Sequence, residues 1–199
     1  MTRPRLILAS TSRYRRELLQ RLRLPFEVLA PGVDETPLDG ESPPALAMRL
    51  AVAKAQAIAQ DAPDAVVIGS DQVADLDGRP IGKPHDHERA RAQLAAMSGQ
   101  RVVFHTAVAV VRLDRAFERA LLAPVTVRFR HLGADEIERY LRLDQPYDCA
   151  GSARSESLGI ALLESIDSDD PTALIGLPLI RTSALLREAG LDPLLHAGA

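Results

Sequence analysis

Short apolar runs and leucines at helical spacing define the elements predicted at the start of the chain. Residues 6–9 are apolar, which predicts a buried strand. Ser12 is a suitable N-cap for the next helix, which carries Leu18, Leu19 and Leu22 at helical spacing. Pro25 ends that helix, and residues 26–30 predict a second strand.

The rest of the chain continues as strands and helices that do not strictly alternate. After a polar loop at residues 31–44, the pattern predicts helices at 45–61, 86–97, 134–143 and 180–188, and strands at 65–73, 101–113 and 125–130. Asp77-Gly78 is typical of a two-residue hairpin turn. We therefore expect an α/β fold with a mixed, twisted sheet flanked by helices, in one domain over residues 1–199.

Composition and charge exclude some classes of protein. The net charge is −3 and only 4% of residues are aromatic, so the chain lacks the basic excess and stacking rings of a nucleic-acid binder. No apolar stretch at its start is long enough for a secretory signal or a membrane span, and Cys149 has no partner for a disulfide. We expect a protein of the cytoplasm that binds neither nucleic acid nor membrane.

Hydroxyls and arginines follow the first strand, where a helix begins. Free N–H groups and the helix dipole attract anions at such a position, and Ser10 and Arg15 add donors suited to phosphate. Arg15 lies three, four and seven residues before Leu18, Leu19 and Leu22, so it should point inward. The alternative is an ordinary capped helix with a solvated basic face.

Lys54 interrupts an apolar row on the second predicted helix. Leu46, Leu50, Lys54 and Ile58 are spaced by four residues, so the lysine lies on a face that is otherwise apolar. A buried ammonium requires a partner, and a phosphate or a carboxylate in a cleft would supply one. The alternative is a lysine at the edge of the face whose stem reaches out to water.

Carboxylates lie at a predicted strand end and in the long loop. Asp71 follows the apolar start of the strand at 65–73, and ligands of open α/β sheets bind at the carboxyl ends of strands. Asp71 and Glu35 could hold Mg²⁺ with substrate phosphates, or Asp71 could activate a water molecule. The alternative for Asp71 is a turn cap. Asp71 and Gln72 should point to opposite faces unless the strand has ended.

Two weaker signals complete the candidate chemistry. Pro84 favours an extended conformation at Lys83, which could aim the lysine at a fixed point. Cys149 has no evident histidine partner and is interpreted as a small core residue. No set of histidines and cysteines has the spacing of a structural zinc site.

Together these segments form an ordered series of motifs. The sequence resembles the Maf family of nucleotide pyrophosphatases over nearly its whole length. The motifs that carry the resemblance are Leu6-Ile-Leu-Ala-Ser-Thr-Ser12, Arg15-Arg-Glu-Leu-Leu19, Val33-Asp-Glu-Thr36, Ala53-Lys-Ala55, Ile68-Gly-Ser-Asp-Gln-Val73, Gly82-Lys-Pro84, Ser98-Gly99, Thr106-Ala-Val108, Ala150-Gly-Ser152 and Gly176-Leu-Pro178.

The resemblance implies a fold, a reaction and a set of site residues. It implies an inosine-triphosphatase-like fold with a cleft between two lobes, and hydrolysis between the α- and β-phosphates with Mg²⁺ or Mn²⁺. Members are often dimers, so a homodimer is also expected. The implied residues are Asp71 as proton acceptor, Glu35, Lys54 and Lys83 in the active site, Ser10 and Arg15 in a phosphate loop, and Tyr14, Gln72 and Glu156 where the base is selected.

Within the family, the sequence is most similar to the branch that acts on 7-methyl-GTP. Glu156 stands where the sister branch, which acts on dTTP and UTP, typically has Gln. A 7-methylguanine ring is cationic, so Tyr14 could stack on it and Glu156 could accept its N–H groups. The chain departs from the family at Arg13, where Pro is usual. The remaining alternatives are the sister branch and a non-catalytic nucleotide-binding regulator of cell division.

Overall fold

The computed structural model describes residues 4–196. The first three and last three residues lie outside this range. The prediction that the start of the chain forms neither a secretory signal nor a membrane span therefore falls partly outside the described residues. The strands are β1 (Leu6–Ala9), β2 (Glu27–Leu29), β3 (Val66–Leu76), β4 (Arg79–Ile81), β5 (Arg101–Arg112), β6 (Phe117–Phe129) and β7 (Leu163–Asp167). The helices are α1 (Arg13–Gln20), α2 (Pro43–Ala59), α3 (His87–Met97), α4 (Ala134–Asp144), α5 (Leu179–Glu188) and α6 (Pro193–His196).

The described strands form a single mixed sheet, which confirms the predicted fold class. Its order is β2-β1-β3-β5-β6-β7, and β4 pairs with the end of β3. β1 is parallel to both β2 and β3, whereas β3, β5, β6 and β7 pair antiparallel. The predicted Asp77-Gly78 turn joins β3 to β4, with both residues at positive φ as a type I′ turn requires.

Helix α2 covers one face of the central strands. Because side chains alternate along a strand, Val67 and Val73 of β3 point to this face together with Ala107 and Val111 of β5. Gly69 allows the close approach, since a Cβ there would lie 2.6 Å from the Ala55 amide nitrogen and closer still to the Ala51 carbonyl oxygen. Gly69 therefore lets the backbone of α2 lie directly against β3.

The opposite face of the sheet carries two separate apolar clusters. Leucines of α1 and α5 pack on the first half of β3, around Val66 and Ile68. Helices α3 and α4 pack on the other half, around Ala74 and Phe104. Between these two clusters the face is polar, with Gln72 at its centre. This arrangement agrees with the two expected lobes and their intervening cleft.

Several predicted boundaries were wrong. β3 continues to Leu76, so Asp71 lies inside a strand and not at its end. Helix α2 begins at Pro43, because prolines are tolerated where the first N–H groups have no helical partner. The first half of β6 and the whole of β7 were missed; both are largely exposed. Among residues 4–196, no helix is long and apolar enough to cross a membrane.

Candidate active site

A cleft opens where one edge of β3 is unpaired. β1 ends opposite Gly69, and β4 begins to pair only at Ala74, so residues 70–73 have no neighbouring strand on this side. The cleft at this edge has a volume of about 930 Å³. The structure brings all the predicted site residues to it: Ser10, Tyr14, Arg15, Glu35, Lys54, Asp71, Gln72, Lys83 and Glu156. Their individual roles stay predictions.

Lys54 joins two carboxylates in the cleft. Its ammonium Nζ lies 2.7 Å from Asp71 Oδ1 and 2.7 Å from Glu35 Oε1. The lysine and Asp71 are buried, whereas the side chain of Glu35 is 56% exposed. Partial burial of Glu35 favours its neutral form, but the hydrogen bond and charge of Lys54, together with the charges of Lys83 and Arg15, outweigh this and lower the pKa of Glu35 overall. The predicted buried ammonium with a carboxylate partner is confirmed, and the alternative of a solvated lysine is wrong.

Asp71 and Gln72 reach the cleft from opposite faces of β3. Asp71 meets Lys54 on the α2 side, while the Gln72 amide donates to Thr106 Oγ1 and to the carbonyls of Ala173 and Leu174 on the other side. The strand is therefore regular at this point, as its alternation requires. Both residues line the cleft because β3 has no neighbouring strand along this edge at residues 70–73.

Arg15 points inward from the first turn of α1, as predicted. Ser12 caps the helix by accepting from the Arg15 amide, and Arg15 Nε donates to the Gly176 carbonyl at 2.9 Å. Burial lowers the pKa of Arg15, and the negative charges of Asp71 and Glu35 oppose that shift. Ser10 is buried beside it on the cleft wall. A partly desolvated guanidinium at a helix start suits a phosphate group.

Tyr14 lies at the centre of a polar cluster that lines the cleft. Its hydroxyl donates to the Asp148 carboxylate at 3.2 Å and accepts from Arg13 Nη2 at 2.7 Å. Burial raises the pKa of Tyr14 to about 12, so the phenol is neutral at physiological pH. Arg154 forms an ion pair with Asp144 at 2.8 Å and lies 3.5 Å from the Tyr14 hydroxyl.

Lys83 and Glu156 lie on the cleft wall. The positive charge of Lys83 contributes to the lowered pKa of Glu35. Glu156 is exposed at the surface of the cleft, yet the protein around it raises the pKa of its carboxyl, first through desolvation and then through Asp144 and Asp148. Arg154 opposes this shift. A cation that binds beside Glu156 would stabilise the ionised form of its carboxyl group.

The loop that carries Glu35 is tied to α2 by an ion pair. Arg49 Nε and Nη2 donate to the two carboxylate oxygens of Glu41 at 2.6 and 2.7 Å, and Nη2 also donates to the Thr36 carbonyl at 3.1 Å. The Arg49 hydrogen bonds lower the pKa of Glu41 to about 2. The segment that follows Glu35 is therefore held against α2.

Sequence reasoning missed part of the cleft. Cys149 is not a core residue; it lines the cleft with its sulfur 3.6 Å from the Tyr14 hydroxyl. Asp148, Arg154 and the turn ending at Gly176 were also not recognised as parts of the site. The turn matters because the Gly176 carbonyl accepts from Arg15 and Ser70. The motif Gly176-Leu-Pro178 was the only available signal for that turn.

Comparison with known proteins supports the geometric picture. The family model described as "Maf-like protein" matches residues 5–189. A protein named 7-methyl-GTP pyrophosphatase from Polaromonas sp. is 70% identical over 93% of this chain and 84% of its own length. Proteins of the same name from Albidiferax ferrireducens and Bordetella avium are 61% and 58% identical, each over 96% of both chains. On this evidence the chain belongs to the Maf family.

Proposed function

We propose that this protein hydrolyses 7-methyl-GTP to 7-methyl-GMP and pyrophosphate. The observation that carries the proposal is the pair of carboxylates, Asp71 and Glu35, that converge on the buried Lys54 at the free edge of β3. The names of the most similar relatives support the same substrate and the same reaction. The cleft, at about 930 Å³, has room for a nucleotide.

In the proposed reaction, a water oxygen attacks the α-phosphorus. A bond forms between this oxygen and phosphorus, the bond from phosphorus to the bridging α–β oxygen breaks, and pyrophosphate leaves with the bond electrons. Asp71 orients the water and accepts its proton. Arg15, Lys54 and Lys83 offset the charge on the phosphate oxygens, since phosphoryl transfer depends mainly on positioning and electrostatics.

A divalent metal ion, Mg²⁺ or Mn²⁺, fits the same carboxylates. Mg²⁺ is typically held by one or two carboxylates together with substrate phosphates and water. Asp71 and Glu35 each use one oxygen for Lys54, which leaves their second oxygens, Asp71 Oδ2 and Glu35 Oε2, available for a cation. When bound, the metal would supply charge neutralisation at the phosphates. Among residues 4–196, no group of three or more His, Cys, Asp or Glu side chains forms a complete metal site, which agrees with a site that the substrate completes.

The part of the cleft around Tyr14, Gln72 and Glu156 suits the base. The Tyr14 ring offers a stacking surface for a cationic purine. Glu156 and the carbonyl oxygen of Gln72 offer acceptors for the N–H groups of guanine, because the Gln72 amide nitrogen is already used by three protein acceptors. We also propose that the protein acts in the cytoplasm, binds neither nucleic acid nor membrane, and forms a homodimer.

A metal-dependent substrate panel tests the proposal. Pyrophosphate release is measured with 7-methyl-GTP, GTP, UTP and dTTP, with and without Mg²⁺. We expect 7-methyl-GTP to have the highest kcat/KM and activity to require the metal. A preference for UTP and dTTP would assign the chain to the sister branch. Tight binding without turnover would indicate a nucleotide-binding regulator.

The role of Asp71 is tested by one substitution. Asp71→Asn should still bind 7-methyl-GTP while pyrophosphate release falls by about 10³-fold or more, because the amide cannot accept the proton from water. Isothermal titration calorimetry measures the retained binding. Near-normal turnover would refute the assigned role.

A further inference from the structure

Arg13 occupies the part of the cleft where a base would stack. Its guanidinium carbon lies 4.7 Å from the centroid of the Tyr14 ring, and Nη2 donates to the Tyr14 hydroxyl at 2.7 Å. The same Nη2 lies 3.7 Å from Asp148 Oδ2. Arg13, Tyr14 and Asp148 all line the cleft. One planar cation of the protein is therefore held by an aromatic ring and a carboxylate.

These contacts are weak enough to be exchanged. The side chains of Arg13 and Asp148 are 59% and 54% exposed, and exposed ion pairs contribute little because water screens them and long side chains lose freedom. Cation–π contacts at exposed positions are similarly modest. By contrast, Arg154 is committed to Asp144 by a largely buried ion pair. Arg13 is thus the cation that a ligand could displace from this cluster.

We propose that Tyr14 and Asp148 form the seat for the positive charge of a 7-methylguanine base, and that Arg13 fills this seat until the nucleotide arrives. The proposal rests on the proposed function and assigns specificity roles to Asp148 and Arg13. A 7-methylguanine ring resembles a guanidinium in being a planar, delocalised cation. It can therefore replace Arg13 against both the ring and the carboxylate.

The charges around the seat explain why it would select a cation. In the described part of the chain, Asp144 and Glu156 interact with the guanidinium of Arg154, and Asp148 with that of Arg13, so three carboxylates share two guanidiniums. A cationic base that displaces Arg13 leaves this balance unchanged. A neutral guanine that displaces Arg13 from the Tyr14 ring leaves the Asp148 carboxylate without a positive charge beside it. The seat therefore favours 7-methylguanine over guanine through the cost of leaving a carboxylate unpaired.

Calorimetric binding of 7-methyl-GMP and GMP tests the seat without any reaction, since the two ligands differ only by the methyl group and its charge. Asp148→Asn should lower the preference for 7-methyl-GMP over GMP about fivefold, the size of an exposed charge contact. Arg13→Gln should tighten 7-methyl-GMP binding about fivefold by removing the competing cation. In the double variant, the Arg13 substitution should tighten binding less than in the wild type, because the carboxylate is gone and only the Tyr14 ring is still contested.

Arg16→Gln is the matched control. It removes one arginine charge from the same helix, but Arg16 is exposed and does not line the cleft. Both affinities should stay within about twofold of the wild-type values. An equal loss of 7-methyl-GMP and GMP binding in Asp148→Asn would overturn the proposal, as would weaker 7-methyl-GMP binding in Arg13→Gln.

The two proposals fail in different ways. If the expected binding changes occur but wild-type protein releases no pyrophosphate from 7-methyl-GTP, the seat is supported and the proposed function is wrong. If pyrophosphate is released but the preference for 7-methyl-GMP is insensitive to Asp148, the function is supported and the seat is wrong.

Discussion

Lys54 controls the charge of the cleft, because it is the buried cation to which both site carboxylates are bonded. Replacing it by Met would leave Asp71 buried without its ion-pair partner. Removing one member of a buried pair is strongly destabilising, so we expect Lys54→Met to lower the free energy of unfolding by about 3 kcal/mol. Pyrophosphate release should fall at least about 10²-fold. Urea denaturation and a pyrophosphate assay measure the two effects.

Asp71→Asn serves as the comparison for this variant. It keeps the Lys54–Glu35 pair and leaves no unpaired buried charge, so its loss of stability should be clearly smaller than that of Lys54→Met. Equal unfolding midpoints for Lys54→Met and wild type would show that the ion pair contributes no net stability.

Glu156 links stability to pH with a sign opposite to that of an ordinary paired carboxylate. Its pKa is raised above the ordinary value of 4.5 by desolvation, so the folded protein binds the proton more tightly than the unfolded chain does. The stabilising protonation is present at low pH and is lost as the pH rises through the folded pKa. Glu156→Gln should therefore become more stable than wild type above that pH. Thermal denaturation across a pH series measures the difference.

Ionisation of Glu156 lowers the stability of the fold, but it should strengthen the binding of 7-methyl-GMP. Ionised Glu156 attracts a cationic base, so 7-methyl-GMP affinity of the wild type should fall as the pH drops through the raised pKa. Glu156→Gln should lack this pH dependence. If both proteins show the same pH dependence of binding, Glu156 does not contact the base.

At the residue scale, spacing predicted some contacts and not others. Arg15 and Lys54 were found because helical periodicity places them on buried faces of α1 and α2. Asp148 and Arg154 could not be found this way. They meet Tyr14 from 134 and 140 residues further along the chain, in segments without periodic structure. Contacts of that kind depend on tertiary packing.

At the scale of elements, the contact between β3 and α2 depends on Gly69. A methyl group there would force the α2 backbone away, because the nearest atoms belong to Ala51 and Ala55 and cannot rotate aside. We expect Gly69→Ala to cost about 3 kcal/mol in unfolding free energy. Gly82→Ala is the control, since Gly82 has no atom within 4 Å of its Cβ position and no positive φ. Equal unfolding free energies for the two variants would contradict the close packing.

The Arg49–Glu41 ion pair fixes the loop of Glu35, so its loss should affect turnover more than folding. Arg49→Met should lower kcat about tenfold, because a mobile Glu35 spends less time at Lys54 and the substrate. Hydrogen exchange should become faster in residues 33–42. Arg49→Lys should recover part of the loss, since it keeps the charge but not the bidentate geometry.

A double variant shows whether Arg49 acts through Glu35. In the background of Glu35→Gln, the Arg49→Met substitution should cause little additional loss of turnover. Independent, multiplicative losses would mean that Arg49 supports the cleft in another way.

The sequence predicted strands correctly where they are buried and missed strands that are exposed. β1 was predicted to the residue from its apolar run, and α3, expected at residues 86–97, begins one residue later because Asp86 is its N-cap. β3 was cut short because its polar residues, Ser70 to Gln72, look like a strand exit. They lie in mid-strand because β5 pairs continuously along β3 from Val67 to Asp75. Pairing with a distant strand is absent from local sequence.

At the scale of the whole molecule, the cleft is assembled from both ends of the chain. Its lining extends from Ser10 to Gly176 and includes segments packed on both apolar clusters of the sheet face. A nucleotide that bridges these segments binds only the folded protein. Binding must therefore raise the stability of the whole fold by mass action.

Asp71→Asn makes this stabilisation measurable, since the variant should retain substrate without consuming it. With 7-methyl-GTP at a hundredfold excess over Kd, the gain is about 2.7 kcal/mol. For a chain of this size, that gain corresponds to a Tm increase of about 5–11 °C. Differential scanning fluorimetry with Mg²⁺ measures the shift, and UTP at the same concentration is the control. An equal shift with UTP would mean that Tyr14 and Glu156 do not select the base. The stabilisation would then come from the phosphates alone.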